Sequence, residues 1–210
     1  MATYFDIGAN DGDSTLHFAR AGHTVWAFEP HPGFCDMIRS KSAGLTNYTL
    51  VPKAVSDFDG QADFHVYSSE DCSSLAPTVP GHESRWPHMR RGSMDTLGTI
   101  RVEVTTLSTF MRENRIRRVD WLHCDAQGHD LRVLRGLGDC LCTVAAGVVE
   151  CVSSPEVALY EGHCHRDEVV GWLESVGLRV DSVANNDPRG HCGPEYEVNV
   201  FFSNPRFGRC

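Results

Sequence analysis

The chain has 210 residues, enough for one domain with a sizeable core, and 41% hydrophobic with 22% charged residues is typical of a globular protein. Its net charge of −9, from 19 basic and 28 acidic residues, argues against a general binder of nucleic acid or of anionic membranes. No N-terminal stretch is typical of a signal peptide, and no apolar run approaches the roughly 20 residues that span a bilayer. We therefore expect a single cytoplasmic domain over residues 1–210.

Apolar stretches alternate with helix-like patterns along the chain, and this alternation predicts repeated strand–helix units. The predicted strands lie at residues 3–7, 24–29, within 48–56, 61–68, 101–107, 119–125, 144–151, 178–183 and 197–203. The predicted helices lie at residues 14–21, 34–42, 108–114, 129–137 and 166–176. Such units imply right-handed crossovers and therefore an α/β fold, doubly wound, with a mostly parallel sheet between two layers of helices.

Two segments in the middle of the chain depart from this alternation. Residues 61–68 switch between apolar and polar side chains, which favours an antiparallel strand. Residues 71–99 are rich in Ser, Pro, Gly and His and show no clear period, so we expect a long irregular loop. A loop of this length in a compact domain is usually functional or disordered.

The first predicted strand runs through Asp6 into a turn with two glycines, Gly8 and Gly12. Glycine permits a tight turn and a close backbone approach to a ligand, and the start of the following helix favours a carboxylate or phosphate. Glu29 ends the next strand, 21 residues after Gly8, where an acid can bind two ribose hydroxyls. The first two units therefore predict a ligand that contains a nucleoside.

The spacing of this turn separates two nucleoside ligands. A dinucleotide fingerprint is G-x-G-x-x-G, whereas here Asn10 stands at the middle glycine and the third glycine is missing. Asp6, directly before the turn, would also repel a pyrophosphate. S-adenosylmethionine carries an ammonium and a carboxylate at one end and a nucleoside at the other, so it fits better than a nicotinamide dinucleotide.

Four stretches of the sequence resemble motifs of the FkbM-type S-adenosylmethionine-dependent methyltransferases. They are FDIGANDGDST, VWAFEPHP, VPKAVSDFDGQADFHV and, most specifically, VTTLSTFMRENRIRRVDWLHCDAQGHDLRVLRG, which contains residues 125–130. The resemblance covers nearly the whole chain and implies a Rossmann-like fold: a seven-stranded, mostly parallel sheet with an antiparallel last strand and an extra β-hairpin. Gln127 departs from the family pattern, in which Glu is frequent at this place.

The resemblance also implies S-adenosylmethionine as cofactor and a set of residues that bind it. These residues are Asp6, Gly8, Ala9, Asn10, Gly12, Thr15, Glu29, Pro30, Ala54, Val55 and Asp125. They follow separate strands, and the carboxyl edge of a parallel sheet would bring them together. The alternative for several of them is a structural role in a turn, at a strand end or in a helix cap.

Methyl transfer, most often to a hydroxyl oxygen, is the activity that the resemblance implies. The attacking hydroxyl must lose its proton, so a general base nearby would accelerate transfer. Asp125, His129 and Glu150 are the catalytic candidates, because they lie where cofactor and acceptor would meet. Asp125 could stabilise the sulfonium or take the proton, and a histidine has the more suitable ordinary pKa for a base.

The expected partner is a small-molecule or glycan acceptor. The irregular loop should lie over the strand ends, and a group of its side chains could bind an anionic or sugar-like acceptor, unless the loop is merely solvated. This group is Arg85, Trp86, His88, Arg90 and Arg91. The acidic charge argues against nucleic acid, no membrane partner is expected, and a homo-oligomer remains open.

The nine cysteines include no C-x-x-C pair, so we expect mostly reduced, buried thiols. The His/Cys clusters at residues 163–165 and 191–192 leave a metal site as the alternative, although they lack a standard ligand spacing. We therefore expect no bound metal.

Two other functions remain open at this stage. A nicotinamide-dependent oxidoreductase would share the fold, but the turn spacing disfavours it. A non-catalytic module would keep the fold and the cofactor while lacking turnover. Replacing Asp125 and His129 would separate an enzyme from such a module, since only an enzyme has turnover to lose.

Overall fold

The computed structural model describes residues 1–86, 94–186 and 196–209. Its strands are β1 (Thr3–Ile7), β2 (Thr24–Phe28), β3 (Tyr48–Val51), β4 (Ala54–Val55), β5 (Gly60–Tyr67), β6 (Thr96–Thr105), β7 (Trp121–Cys124), β8 (Ala146–Val152), β9 (Arg179–Asn185) and β10 (Glu197–Ser203). Its α-helices are α1 (Leu16–Arg20), α2 (Pro32–Lys41), α3 (His82–Arg85), α4 (Leu107–Glu113), α5 (Asp130–Arg135) and α6 (Arg166–Ser175). Short 3-10 helices lie at Glu70–Cys72, Gly138–Thr143 and Pro155–Val157. No helix in the described ranges combines the length and the apolar character needed to cross a membrane.

The central sheet has seven strands in the order β3-β2-β1-β7-β8-β10-β9. Neighbours from β3 to β8 pair in parallel, and β10 runs antiparallel to both β8 and β9. The predicted seven-stranded, mostly parallel sheet with an antiparallel last strand is thereby confirmed. The chain builds outward from β1 to β3 and then returns to the other side of β1, so the strand order reverses between β1 and β7. In α/β sheets, ligands bind beyond the carboxyl ends of the strands at such a point.

Helices cover both faces of this sheet because successive side chains of a strand point to opposite faces. On one face, Phe5 and Leu122 are fully buried in a core that includes side chains of α4, α5 and α6. On the other face, Ala27 packs with Leu16 of α1 and Ile38 of α2. The doubly wound arrangement predicted from the alternating pattern is therefore present.

A second sheet, with the order β4-β6-β5, accounts for the predicted hairpin. β5 and β6 pair antiparallel, and β4 adds in parallel to β6. Residues 48–56, where one strand was predicted, hold two strands that belong to different sheets. The division falls at Pro52 and Lys53, and Pro52 cannot continue a ladder because it lacks an N–H donor.

The described part of residues 71–99 contains more regular structure than its composition predicted. β6 begins at Thr96, and a 3-10 helix and α3 interrupt the segment. The N–H of Val79 donates to the carbonyl of Leu159, and the N–H of Glu161 donates to the carbonyl of Pro77, both at 2.9 Å. The segment is therefore tied to the turn that follows β8.

The side chains predicted to bind an acceptor from this loop have other contacts. Trp86 is only 4% exposed, and its indole N–H donates to the carbonyl of Val157 at 2.7 Å. Arg85 donates to the carbonyl of Ala158 at 3.0 Å. Both residues anchor the loop, and their contact with an acceptor stays a prediction. Three further members of that group, His88, Arg90 and Arg91, lie outside the described residues.

Asp6 is fully buried below the first turn and joins three segments of the chain. Its carboxylate accepts hydrogen bonds from the hydroxyls of Thr15 (2.6 Å) and Ser14 (3.1 Å) and lies 2.8 Å from Nδ1 of His123. Burial lowers the pKa of His123, but the hydrogen bond and the charge of Asp6 raise it, and the net shift is upward. Asp6 therefore holds the start of α1 against β1 and β7.

Replacing Asp6 by alanine should lower the free energy of unfolding by about 3 kcal/mol, because buried donors lose their acceptor. Since the folded-state pKa of His123 is raised, the contribution of this pair is complete below about pH 6.5. It should fall as the pH rises through the folded-state pKa, and the variant should lack this dependence. Urea unfolding at several pH values measures both effects.

Asp63→Ala is the matched control, because Asp63 is exposed and its carboxylate pairs with Arg101 at 3.0 Å. An exposed pair of this kind contributes at most about 1 kcal/mol. Equal losses in the two variants would contradict the role assigned to Asp6.

Candidate active site

A cleft opens beyond the carboxyl ends of β1, β2 and β7 and reaches the second sheet at β4 and β5. Its walls enclose about 620 Å³ between protein atoms, and this volume includes the open mouth. Eight of the predicted site residues line it: Gly8, Asn10, Glu29, Pro30, Ala54, Val55, Asp125 and His129. Residues from four separate stretches of sequence therefore meet at one site.

The first turn forms the part of the cleft between β1 and β2. Gly8 and Asn10 both adopt the left-handed conformation, with φ of 77° and 52°. The N–H groups of Gly8 and Ala9 both donate to the carbonyl of Phe28 at 3.0 Å, which fastens the turn to the end of β2. Backbone hydrogen bonds thus fix the position of the turn at the end of β2.

Gly8 also lies directly against the backbone at the end of β7. A Cβ atom built on Gly8 would be 1.8 Å from the carbonyl oxygen of Asp125, far inside any allowed contact. Only glycine permits this approach, and its positive φ independently favours glycine. The requirement brings the first turn and Asp125 together in the cleft.

Glu29 lines the cleft at the end of β2 and is 5% exposed. Its carboxylate accepts the N–H of Asn10 at 2.9 Å through one oxygen and the N–H of His31 at 2.7 Å through the other. Burial raises the pKa of Glu29 to about 7, although these two hydrogen bonds lower it. Each oxygen keeps a lone pair, so the carboxylate can still accept two hydroxyl donors.

His129 lines the opposite part of the cleft and is 8% exposed. Its Nδ1 lies 3.2 Å from the hydroxyl of Ser56. Burial, followed by the nearby charge of Arg132, lowers the pKa of His129 to about 4. The ring is therefore neutral at pH 7, and the ordinary histidine pKa expected from the sequence does not apply.

Five predicted site residues do not line the cleft. Ala9, Gly12 and Thr15 belong to the first turn and the start of α1, and Asp6 lies beneath them. Glu150 accepts a hydrogen bond from the side-chain amide of Asn186. The pKa of Glu150 lies well above its usual value. Burial is the largest cause, and the charges of Asp125 and Glu197 raise the pKa further. Direct ligand contact by these five residues stays a prediction.

Sequence reasoning missed other residues that line the cleft: His31, Phe34, Lys53, Phe64, Glu70, Asp71, Ser73, Leu75 and Gln127. His31 could have been suggested by its place two residues after Glu29, and Gln127 by its place in the motif after Asp125. The side chains from residues 64–75 gave no such signal, because their place depends on pairing and hydrogen bonds with segments far away in the sequence: β6, Gln127 and Tyr160.

The His/Cys cluster at residues 163–165 has structural contacts. His165 caps α6 through a capping box with Glu168, and Nδ1 of His163 accepts the N–H of Leu159 at 3.4 Å. Within the described part of the chain, no three His, Cys, Asp or Glu residues are grouped to hold a metal ion. The second predicted cluster, His191 and Cys192, lies outside the described residues.

The thiols largely follow the sequence prediction. Cys35, Cys124, Cys151 and Cys164 are free and buried. Burial is also the largest cause of the raised pKa of each of these thiols. Cys142 is an exception to the expected reduced state, because it is disulfide-bonded.

The strand order and the cleft at the switch point define the fold of the S-adenosylmethionine-dependent methyltransferases. TrmK of M. capricolum, whose structure contains S-adenosylhomocysteine, superposes with a TM-score of 0.52 over 98% of this chain and 63% of TrmK, at 8% identity. A ribosomal protein L11 methylase from Lactobacillus delbrueckii subsp. bulgaricus gives a TM-score of 0.51 over 96% of this chain and 69% of that protein, at 9% identity. At these identities the similarity concerns the fold alone.

Residues 6–177 match the methyltransferase FkbM domain family, so the chain belongs to that family. A curated relative, the 2-O-methyltransferase NoeI of Sinorhizobium fredii (strain NBRC 101917 / NGR234), is 28% identical over 181 residues. That alignment covers 82% of this chain and 71% of NoeI. The resemblance described from the sequence motifs is thereby confirmed at the level of the family.

Replacing Gly8 by alanine should lower the free energy of unfolding by at least about 3 kcal/mol, because overlap with the Asp125 carbonyl adds to the cost of the left-handed conformation. Gly22→Ala is the matched control. Gly22 has a similar φ of 89°, but among the described residues no other part of the chain lies within 4 Å of the added Cβ, so its cost should be about 1 kcal/mol. Urea unfolding compares the two, and similar losses would contradict the close approach.

Proposed function

We propose that this chain is an S-adenosylmethionine-dependent methyltransferase that methylates a hydroxyl oxygen of a small molecule, sugar or glycan. The observation that carries the proposal is the cleft at the switch point, where Glu29 and Asp125 line a site beside the glycine turn. Membership of the FkbM methyltransferase family supports the reaction class. The name of the relative NoeI supports transfer to oxygen.

The donors and acceptors of the cleft fit this cofactor. Two acidic groups, Glu29 and Asp125, suit the ribose hydroxyls and a cationic sulfonium, respectively. The apolar side chains of Ala54, Val55 and Phe34 offer a wall for a flat base. We propose that Gly8 and Asn10 hold the amino-acid end of the cofactor beside the turn.

When bound, the cofactor supplies a methyl group that its sulfonium already activates. The task left to the protein is orientation, which can contribute several kcal/mol to lowering the barrier. Glu29 would accept the ribose hydroxyls with the lone pairs that Asn10 and His31 leave available. Asp125, which directly follows β7, would lie beside the positively charged sulfonium and hold it in place.

Asp125 and His129 both line the cleft, and burial changes their pKa values in opposite directions. His129 has a pKa of about 4, so its neutral ring can orient a hydroxyl but holds a proton weakly. Burial raises the pKa of Asp125, which strengthens its carboxylate as a base. We therefore propose Asp125 as the proton acceptor and His129 as the residue that orients the acceptor hydroxyl.

Glu70, Asp71, Ser73 and Leu75 line the part of the cleft that forms its mouth, and the two acids are exposed there. A negatively charged rim opposes a strongly anionic acceptor, so we propose that the acceptor is uncharged at the methylated end. The same charge supports a small-molecule or glycan acceptor over nucleic acid. A single domain, a cytoplasmic location and a homo-oligomer stay predictions.

Isothermal titration with S-adenosylhomocysteine should detect binding whose affinity rises about tenfold from pH 6 to pH 8. Glu29, with a pKa of about 7, must lose its proton to accept both ribose hydroxyls, and His129 does not titrate in this range. In Glu29→Gln the affinity should fall by roughly 10- to 100-fold and become independent of pH.

Glu174→Gln is the control for this titration, because it removes an exposed acid on α6. It should leave both the affinity and its pH dependence unchanged. If the wild-type protein bound neither S-adenosylhomocysteine nor S-adenosylmethionine, this would contradict the proposed cofactor. Binding of NADH in their place would favour the oxidoreductase alternative.

Transfer of a labelled methyl group from S-adenosylmethionine to a panel of neutral sugars, glycans and small hydroxyl compounds tests the reaction. Asp125→Asn should reduce kcat by roughly 10²- to 10⁴-fold, because it removes the proposed proton acceptor. It should still bind S-adenosylhomocysteine, whose sulfur is uncharged. A wild-type protein that binds the cofactor but labels no acceptor would favour the non-catalytic module.

A further inference from the structure

The side chain of Gln127 connects Asp125 to the segment that forms the mouth of the cleft. Its amide nitrogen Nε2 donates to Oδ1 of Asp125 at 2.7 Å, and its amide oxygen accepts the hydroxyl of Tyr160 at 2.9 Å. The same tyrosine hydroxyl lies 2.7 Å from the carbonyl of Cys72. The hydroxyl of Ser74 donates to the backbone carbonyl of Gln127 at 2.6 Å. One residue is therefore held at both its side chain and its backbone.

These contacts leave only one orientation for the amide of Gln127. If the amide were turned over, its oxygen would face the carboxylate of Asp125 and its nitrogen would face the Tyr160 hydroxyl. Two acceptors would then oppose each other across 2.7 Å, which is unfavourable. The carboxylate of Asp125, which only accepts hydrogen bonds, thus selects the orientation in which Gln127 donates to it, and the tyrosine hydroxyl contacts the amide oxygen on the other side.

The backbone of the turn that carries Gln127 is also held in place by Asp130. Gln127 has a φ of 47° and Gly128 a φ of 92°, so two successive residues are left-handed. The buried carboxylate of Asp130 accepts the N–H of Ala126 at 2.6 Å and the N–H of Gly128 at 3.1 Å. A non-glycine residue in this conformation is uncommon and persists where its surroundings hold it.

We propose that Gln127 is a positioning residue that holds Oδ1 of Asp125 and keeps this carboxylate ionised, with Oδ2 directed to the bound ligand. The inference rests on the proposed function. Within the described residues no side chain donates a hydrogen bond to Oδ2, and Asp125 lines the cleft. Gln127 thus prepares the charge that recognises a sulfonium and later accepts a proton.

Asp125 needs this support because of its surroundings. Burial raises its pKa and the charge of Asp6 raises it further, whereas His123 and the hydrogen bonds of Gln127 lower it. The titratable groups whose charges interact with Asp125 are Asp6 on β1, Glu29 after β2, His123 on β7, Asp130 on α5, Glu150 on β8, Glu197 on β10, and Cys72, Cys124 and Tyr160. Because most of these groups are acidic, a neutral donor stabilises the charged form where another acid would not.

The experiment compares dissociation constants of S-adenosylmethionine and S-adenosylhomocysteine by titration calorimetry between pH 5 and 9. Their ratio reports the charge beside the sulfonium, because the two compounds differ by one methyl group and one positive charge. It cancels the pH dependence from Glu29, which both compounds share. In the wild type the preference for the sulfonium should fall only as Asp125 becomes protonated at low pH.

Two substitutions of Gln127 should change this profile in different ways. Gln127→Leu removes the donor to Asp125. The pH at which the preference for S-adenosylmethionine is lost should therefore rise by about one unit or more. Gln127→Glu places a second carboxyl against Asp125, so the pair should share a proton and the preference should keep rising between about pH 6 and 9. A merely structural role for Gln127 would lower both affinities without moving the ratio.

Gln61→Glu is the matched control. Gln61 is also a glutamine that donates to a carboxylate, that of Glu103, but the pair is exposed on the second sheet. This variant should follow the wild-type profile. If Gln127→Leu does not fold, Tyr160→Phe should give a smaller upward shift, because the amide of Gln127 loses the hydrogen bond at its oxygen and is held less firmly against Asp125.

The outcomes separate the inference from the proposed function. A wild-type protein that binds neither compound contradicts the proposed function itself. A wild-type protein that binds both, with Gln127→Leu, Gln127→Glu and Tyr160→Phe all keeping the wild-type ratio at every pH, overturns the role of Gln127 alone.

Discussion

The arrangement of the site depends on the close approach of two backbones, at Gly8 and at the carbonyl of Asp125. β1 and β7 are neighbours in the sheet, and their carboxyl ends lead into two turns that must share the same space. The absence of a side chain at Gly8 lets them do so. The first turn is thereby joined to the turn that carries Gln127 and His129. The first turn also contacts Glu29, because the N–H of Asn10 donates to the Glu29 carboxylate.

Buried acidic groups are the second constraint on this region, and neighbouring donors compensate for their burial. Asp6 is satisfied by two hydroxyls and a histidine, Glu29 by two backbone N–H groups, and Asp130 by the N–H groups of its own turn. An unpaired buried charge costs several kcal/mol, so these donors are needed to offset the burial of each carboxylate. The concentration of negative charge suits a cationic ligand and explains why one neutral amide, that of Gln127, has such a specific place.

The mouth of the cleft is assembled by contacts that connect distant parts of the chain. The segment after β5 is fastened to the turn after β8 by backbone hydrogen bonds and by the buried rings of Tyr67, Trp86 and Tyr160. Tyr160 in turn contacts Gln127. A change at the mouth can therefore reach Asp125 through one hydrogen-bonded path.

The sequence by itself determined the alternation of strands and helices, the doubly wound class and the two acids that line the cleft at Glu29 and Asp125. These features depend on local periodicity and on motifs that are continuous in the chain, so they are visible without coordinates. Only the tertiary structure decided that Asp6 is buried under the turn, that His129 has a depressed pKa and that Trp86 anchors a loop. These properties arise from desolvation and from partners 60 or more residues away, such as His123 for Asp6 and Val157 for Trp86, and no local pattern encodes such pairs.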